Sequence, residues 1–243
     1  MTFSSAKKVI IIGASSGIGH ELALLYVQAG CRIGITGRSC DALARLKNRF
    51  PQQIVTACFD TTGTENIAQL ESLIGQLGGM DLFIYNAGYG EPSKTLEWRI
   101  EKTTTLTNVN GFIEMSVYAF NFFERQGYGA LAGTSSIASM GGNGIAPAYS
   151  ASKAFMSTYL EGLYIRARKI KVPIAVTDIQ PGFVDTKMSK GEKRFWVMPV
   201  QKAARQIFRA IEKRRFRVYI TPRWRLVALL IKLLPGNLYR RIA

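Results

Sequence analysis

Histidine is almost absent from this sequence. One histidine, His20, occurs in 243 residues. That excludes HExxH metalloproteases, Cys2His2 fingers and multi-histidine metal sites, and no metal site is expected. Cysteine is also scarce: Cys31, Cys40 and Cys58 form an odd set, with spacings of nine and eighteen and no CxxC. Such a set suits reduced thiols in a reducing compartment, hence a cytoplasmic protein. Long apolar runs are missing as well. Val9–Ile12 is four residues long, and Leu226–Leu234 is nine and contains Lys232. A signal peptide or a spanning helix needs more, the latter about 20 residues. Carboxylates are few, 16 against 32 Lys and Arg, for a net charge of +16. From Lys190 to the end there are fifteen Lys/Arg and two Glu, a net +13, which leaves only +3 for the first 189 residues. A basic block of that kind suits an anionic partner, whether a membrane surface, nucleic acid or a phosphorylated substrate.

What is present alternates between two periodicities. Short β-branched or apolar runs at Val9–Ile12, Arg32–Thr36, Ile54–Phe59, Leu82–Tyr85, Ala130–Thr134, Ile174–Ile179 and Arg217–Thr221 read as strands. Between them lie helical patterns: Leu22, Leu25, Tyr26 and Ala29 before Gly30, then Ala42–Phe50, Ile67–Leu77, one long helix from Leu96 to Arg125, Tyr149–Arg168 and Gln201–Arg214. Each parallel crossover must lay a helix on the sheet. The expected fold is therefore α/β, a Rossmann-type doubly wound parallel sheet of about seven strands in three α/β/α layers. Residues 1–222 form one nucleotide-binding and catalytic domain, and 223–243 are a basic amphipathic segment of that domain. Phe183–Met198 lacks clean periodicity and follows the sixth strand, at the edge where open α/β sheets bind ligands.

Gly13-Ala14-Ser15-Ser16-Gly17-Ile18-Gly19 lies between the first strand and the first helix. Glycines there admit a pyrophosphate close to the backbone, and the helix N-terminus supplies N–H donors. The same heptad satisfies the G-x-S-x-G hydrolase elbow around Ser15, but that chemistry needs a late histidine, and His20 lies five residues on. Further along stand Asn86-Ala87-Gly88, Asn108-Val109-Asn110-Gly111, Ser136, Tyr149-Ser150-Ala151-Ser152-Lys153 and Pro181-Gly182-Phe183-Val184-Asp185-Thr186. In this order and spacing the set resembles the short-chain dehydrogenase/reductase family, over roughly residues 7–221. The resemblance matches its glycine loop, NAG, NxxG, YxxxK and PGxxxT motifs, and Ser136 stands thirteen residues before Tyr149. It implies catalytic residues Asn108, Ser136, Tyr149 and Lys153. For a dinucleotide it implies Gly13, Ser15, Ser16, Gly17, Ile18, Gly19, Arg38, Asp60, Asn86, Ala87, Gly88, Tyr149, Lys153, Pro181, Gly182, Val184 and Thr186. Ile12 departs from the family's threonine, whose hydroxyl braces the loop against the NAG segment. Ser135 is the rival of Ser136, and a catalytically silent nucleotide-binding protein is the rival function.

The chemistry follows from the residue types. A carbonyl that receives hydride needs a proton at oxygen and support for negative charge. Tyr149 can supply the proton, although a free phenol has a pKa of roughly 10. Lys153, at i+4 on the same helix face, would lower it and hold the nicotinamide ribose. Ser136 would bond the substrate oxygen, and Asn108 would hold a water leading from Lys153 to solvent. The hydride must come from a cofactor. At the end of the second strand no acid occurs until Asp41, whereas Arg38 can grip a 2′-phosphate. NADP(H) is expected ahead of NAD(H). The partners expected are a small carbonyl or alcohol, with a lipophilic substrate in view, and a second copy of the chain in a homodimer or homotetramer. Nucleic acid is not expected, because the arginines lack an aromatic stacking platform. The segment 223–241 suits either peripheral membrane contact, with Trp224 at the headgroups, or packing on the domain or on another subunit.

Overall fold

A computed structural model describes residues 6–189, 195–233 and 237. Its order is β1 (Lys8–Ile12), α1 (Gly17–Gln28), β2 (Arg32–Gly37), α2 (Cys40–Arg49), β3 (Ile54–Cys58), α3 (Asn66–Leu77), β4 (Leu82–Tyr85) and α4 (Trp98–Thr105). There follow a π-turn (Leu106–Asn110), α5 (Gly111–Gln126), β5 (Gly129–Thr134), a 3-10 turn (Ile137–Met140), α6 (Pro147–Ile170), β6 (Ile174–Pro181), α7 (Val200–Glu212), β7 (Arg217–Ile220) and α8 (Arg223–Leu233). The seven strands stand in the order β3-β2-β1-β4-β5-β6-β7. All are parallel.

β1 shows why this sequence makes a central strand. Successive side chains alternate between faces. Val9 and Ile11 join one core with Leu22 and Tyr26 of α1, Leu43 of α2 and Ile207 of α7. Ile10 and Ile12 join the other with Leu73 of α3, Phe112 and Phe123 of α5 and Leu160 of α6. Both faces are covered, so the strand must be apolar throughout. Pro147 opens α6 in its first turn, where a missing N–H costs nothing.

Two expectations change here. The single helix expected from Leu96 to Arg125 is two helices joined by the π-turn. No proline or glycine marks that turn before Gly111, so periodicity alone runs through it. The three cysteines are not all thiols. Cys40 and Cys58 are joined in a disulfide, their Cα atoms 5.3 Å apart, and Cys31 is free and buried. The strand register explains the pairing: Gly37 at the end of β2 sits opposite Cys58 at the end of β3, and Cys40 opens the helix that follows β2. Of the tail, α8 is described, whereas Leu234, Pro235-Gly236 and Arg240-Arg241 lie outside the described residues, as do 190–194 of the aperiodic Phe183–Met198 stretch.

Candidate active site

The glycine loop, Asn86-Ala87-Gly88, Ser136 and Pro181–Thr186 lie at the carboxyl ends of β1, β4, β5 and β6, whereas Tyr149 and Lys153 come from α6 and Asn108 from the π-turn. Gly13 leaves β1 at φ +85°, where a Cβ would stand 2.6 Å from the Ala87 nitrogen. A Cβ on Gly19 would meet the Gly13 carbonyl at 2.1 Å. The loop is thus packed glycine on glycine, and no side chain fits between them. Its bracing comes from elsewhere than the residue at position 12. The Asn86 amide donates to the Gly13 carbonyl at 2.9 Å and accepts from the Thr134 hydroxyl at 3.1 Å. The Gly13 and Ala14 amides donate to the Thr36 carbonyl at 3.1 and 2.7 Å. Ser16 is extended and makes no capping bond, so the first-turn amides of α1 face the loop. Thr186 leans over Gly17, its Cγ2 3.3 Å from where a Cβ would be. A phosphate-sized cradle above a helix N-terminus fits a dinucleotide. Ala87 and Gly88 continue the loop that leaves β4, whereas the Ile18 and Val184 side chains turn into the core.

Arg38 and Asp60 stand at the ends of β2 and β3. The guanidinium is 3.9 Å from the Asp60 carboxylate, and both side chains are largely exposed. The sequence predicts no acid in reach of Arg38. The strand order supplies one, because β3 pairs with β2. Asp60 also accepts from the Thr62 amide at 3.0 Å.

The chemistry collects beyond β4, β5 and β6. Ser136 is extended at the start of the 3-10 turn. Its hydroxyl accepts from the Ala138 amide at 3.1 Å and donates to the Pro181 carbonyl at 3.4 Å. It lies near enough to the Tyr149 phenol to pull its titration downward. Ser135 points the other way, into the sheet, and donates to Asp178 and to the Ile179 carbonyl. One turn along α6 from Tyr149, Lys153 is buried, 5.8 Å from the tyrosine ring centre, and donates to the Thr134 carbonyl at 2.8 Å. Burial pushes the Tyr149 phenol up, against a smaller downward pull from Ser136. Burial lowers Lys153 from 10.5 to about 7, opposed by the Asp178 charge. Sequence reasoning has Lys153 lower the phenol; here desolvation is the largest influence on both groups.

Asn108 lies in the π-turn and is fully buried. Its carboxamide donates to the Tyr89 carbonyl at 2.7 Å and to the Ser152 hydroxyl at 2.9 Å, and accepts from the Tyr89 amide at 2.9 Å. The side chain braces a loop and α6. The braced loop continues to Gly90, and a Cβ there would enter the Tyr149 ring at 2.2 Å.

Three features escape sequence reasoning. Gly90 shapes the tyrosine's seat. Asp178 is fully buried in β6, where its carboxylate accepts from Ser135, Ser157, Gln180 and Arg217. A lone acid in an apolar strand was the available signal for it. Trp224 of α8 covers Gly182 so closely that a Cβ would fall 1.9 Å from its Nε1. Trp224 is 4% exposed, so of the two places expected for it, lipid headgroups or packing on the domain, the indole takes the second.

Residues 7–195 match the family model described as short chain dehydrogenase. An uncharacterized oxidoreductase of Mycobacterium tuberculosis is 30% identical over 255 aligned positions that span all of both chains. A short-chain dehydrogenase from Sphingobium yanoikuyae in complex with NADPH superposes with a TM-score of 0.80 at 19% identity, covering 95% of this chain and 97% of the other. A short chain dehydrogenase/reductase from Burkholderia phymatum in complex with NAD gives 0.82 at 20% identity, covering 95% and 94%.

Proposed function

The chain belongs to the short chain dehydrogenase family of oxidoreductases, and on that premise we propose that it interconverts a ketone or aldehyde and its alcohol with NADP(H). The observation that carries this reading is the Ser136–Tyr149–Lys153 cluster, set at the sheet edge beside the glycine cradle. Gly13, Ser15, Ser16, Gly17, Ile18 and Gly19 hold the pyrophosphate with main-chain amides. Asn86, Ala87 and Gly88 would hold the next stretch, and Pro181, Gly182, Val184 and Thr186 would hold the nicotinamide end. When bound, the dinucleotide supplies or accepts the hydride.

In the reducing direction Ser136 donates a hydrogen bond to the substrate oxygen, and Tyr149 delivers its hydroxyl proton to that oxygen as negative charge develops. An uncharged phenol is the form that can donate, and its buried seat favours that form. Lys153 would hold the nicotinamide ribose, its ammonium 5.8 Å from the Tyr149 ring centre. Asn108 is a positioning residue: by fixing Tyr89 it holds Gly90 against the Tyr149 ring. Arg38 would take a 2′-phosphate in exchange for its exposed pairing with Asp60, and Asp60 would hold the adenosine end. The solved relatives named above hold NADPH in one case and NAD in the other, so the preference for NADPH rests on Arg38. The substrate is small and lipophilic, and the working unit is a homodimer or homotetramer.

Tyr149→Phe tests the assignment. It removes one oxygen at the chemical step, so turnover should fall by about 10²–10⁴-fold or more. NADPH binding, followed by its fluorescence, should stay within about twofold. Retention of more than about a tenth of activity would remove Tyr149 from the mechanism.

A further inference from the structure

α8 has two unlike faces. Trp224 and Ala228 point into the protein and are buried. On the opposite side Leu226, Leu229, Leu230 and Leu233 are 65%, 55%, 62% and 72% exposed. At 3.6 residues per turn these four fall within an arc of about 100°. Arg223 and Arg225, both exposed, stand on either side of that arc. The apolar surface continues beyond the helix. Phe195 and Trp196, about half exposed, pack their rings on Trp224 at 5.1 and 5.9 Å. The Arg223 guanidinium lies 5.9 Å from the Trp196 ring.

Charge identifies what covers this face. After Glu212 the sequence holds nine Lys and Arg and no Asp or Glu. A second copy related by a twofold would set Arg223 and Arg225 against their own equivalents, with no carboxylate from this stretch to neutralise them. A strand of nucleic acid would meet the arginines but leave the leucines in water. A bilayer of anionic phospholipid satisfies both: acyl chains accept the leucines, and phosphates pair with the flanking cations. The helix has eleven residues, roughly 16 Å of length, so it lies in the interface and does not cross it.

We propose that α8, with Phe195 and Trp196, docks the protein on an anionic bilayer with the mouth of the active site turned to the lipid. The connection to the site is short. Trp224 sits on Gly182, the residue after Pro181, whose carbonyl accepts from Ser136. Substrate delivery rests on the proposed function, and docking does not: a lipophilic carbonyl compound dissolved in the bilayer reaches Ser136 and Tyr149 past Phe183 without crossing water.

The test uses the full chain, vesicles of phosphatidylcholine alone or mixed with phosphatidylglycerol, and the double variant Leu226→Glu, Leu230→Glu. Both positions are exposed, so folding should be kept; Leu226→Ser with Leu230→Ser replaces it if the acidic pair fails to fold. Wild type should co-sediment with the anionic vesicles about tenfold more than with neutral ones, and high salt should abolish the difference. The variant should not sediment, yet should bind NADPH and turn over a short water-soluble ketone as wild type does. A long-chain ketone carried in the anionic vesicles should be reduced about tenfold more slowly by the variant. Absence of wild-type sedimentation at low salt overturns the proposal, and so does equal sedimentation of the variant. A concentration-dependent dimer that the variant abolishes, without vesicle binding, would assign the face to a second copy and overturn it too. Equal reduction of the vesicle-borne ketone by both proteins overturns delivery alone. Loss of NADPH binding with vesicle binding intact counts against the proposed function and leaves the docking standing.

Discussion

Lys153 shows what burial does to a single residue. Its ammonium is held in the protein with a carbonyl and a sulfur as its neighbours, and its pKa falls from 10.5 to about 7. Between those two values the unfolded chain keeps a proton that the folded chain has released. Folding stability from this group should therefore rise as pH increases through that window, with the penalty fully present below it. Lys153→Met should flatten the slope of melting temperature against pH from about 7 to about 10, whatever it does to the absolute value. A slope unchanged in the variant would place the titration on another group. Arg38 sits at the opposite extreme, exposed and loosely paired. A charge-assisted contact to a 2′-phosphate is worth roughly 1.5–3 kcal/mol, so Arg38→Ala should weaken NADPH about tenfold or more and leave NADH nearly unchanged. Equal weakening of both would make Arg38 structural. At this scale much was readable. The spacing to Tyr149 separates Ser136 from Ser135, and the structure sends the two hydroxyls in opposite directions. The Arg38–Asp60 pair and the Cys40–Cys58 bridge were not readable, because each joins residues that only the β2–β3 register brings together.

Among the elements, β6 and the α4–α5 segment carry the least legible parts of the site. Asp178 on β6 ties β5, α6 and β7 through Ser135, Ser157 and Arg217. Breaking such a buried cluster leaves donors without an acceptor, at a cost of about 3–5 kcal/mol. Asp178→Ala should lower the midpoint of urea unfolding accordingly and slacken the mooring of Ser136 beside it. A change below about 1 kcal/mol would show that the cluster contributes little. From sequence, β6 is an apolar run with one acid in it, and an acid in a strand reads equally well as an exposed edge. The π-turn is hidden for a different reason. Thr103, Thr104 and Thr105 each donate to a carbonyl four residues back, a pattern that bends helices. Sequence periodicity registers such residues only as mediocre helix formers. The strands themselves are plain in the sequence, since burial on both faces demands unbroken apolar runs.

For the whole molecule, a parallel sheet of seven strands covered by helices on both faces follows from the alternation of periods, and the structure has it. What the alternation leaves out is the return of the chain after β7, where α8 lays Trp224 over Gly182. That contact depends on one indole meeting one glycine, and no periodicity announces it. The strand order β3-β2-β1-β4-β5-β6-β7 has a further consequence, for how the protein can change. The residues proposed to select the dinucleotide all come from the first sixty positions, on one side of β1. Those proposed to act on the substrate come after position 85, on the other. Arg38 after β2 and Ser136 after β5 are separated by three strand spacings, roughly 14 Å. Cofactor preference and substrate chemistry are thus inherited on separate stretches of chain and can drift independently. Arg38→Ala and Ser136→Ala, combined in a double-mutant cycle on kcat/KM for NADPH, should add to within about 0.5 kcal/mol. A larger coupling would mean that selection and catalysis evolve as one trait.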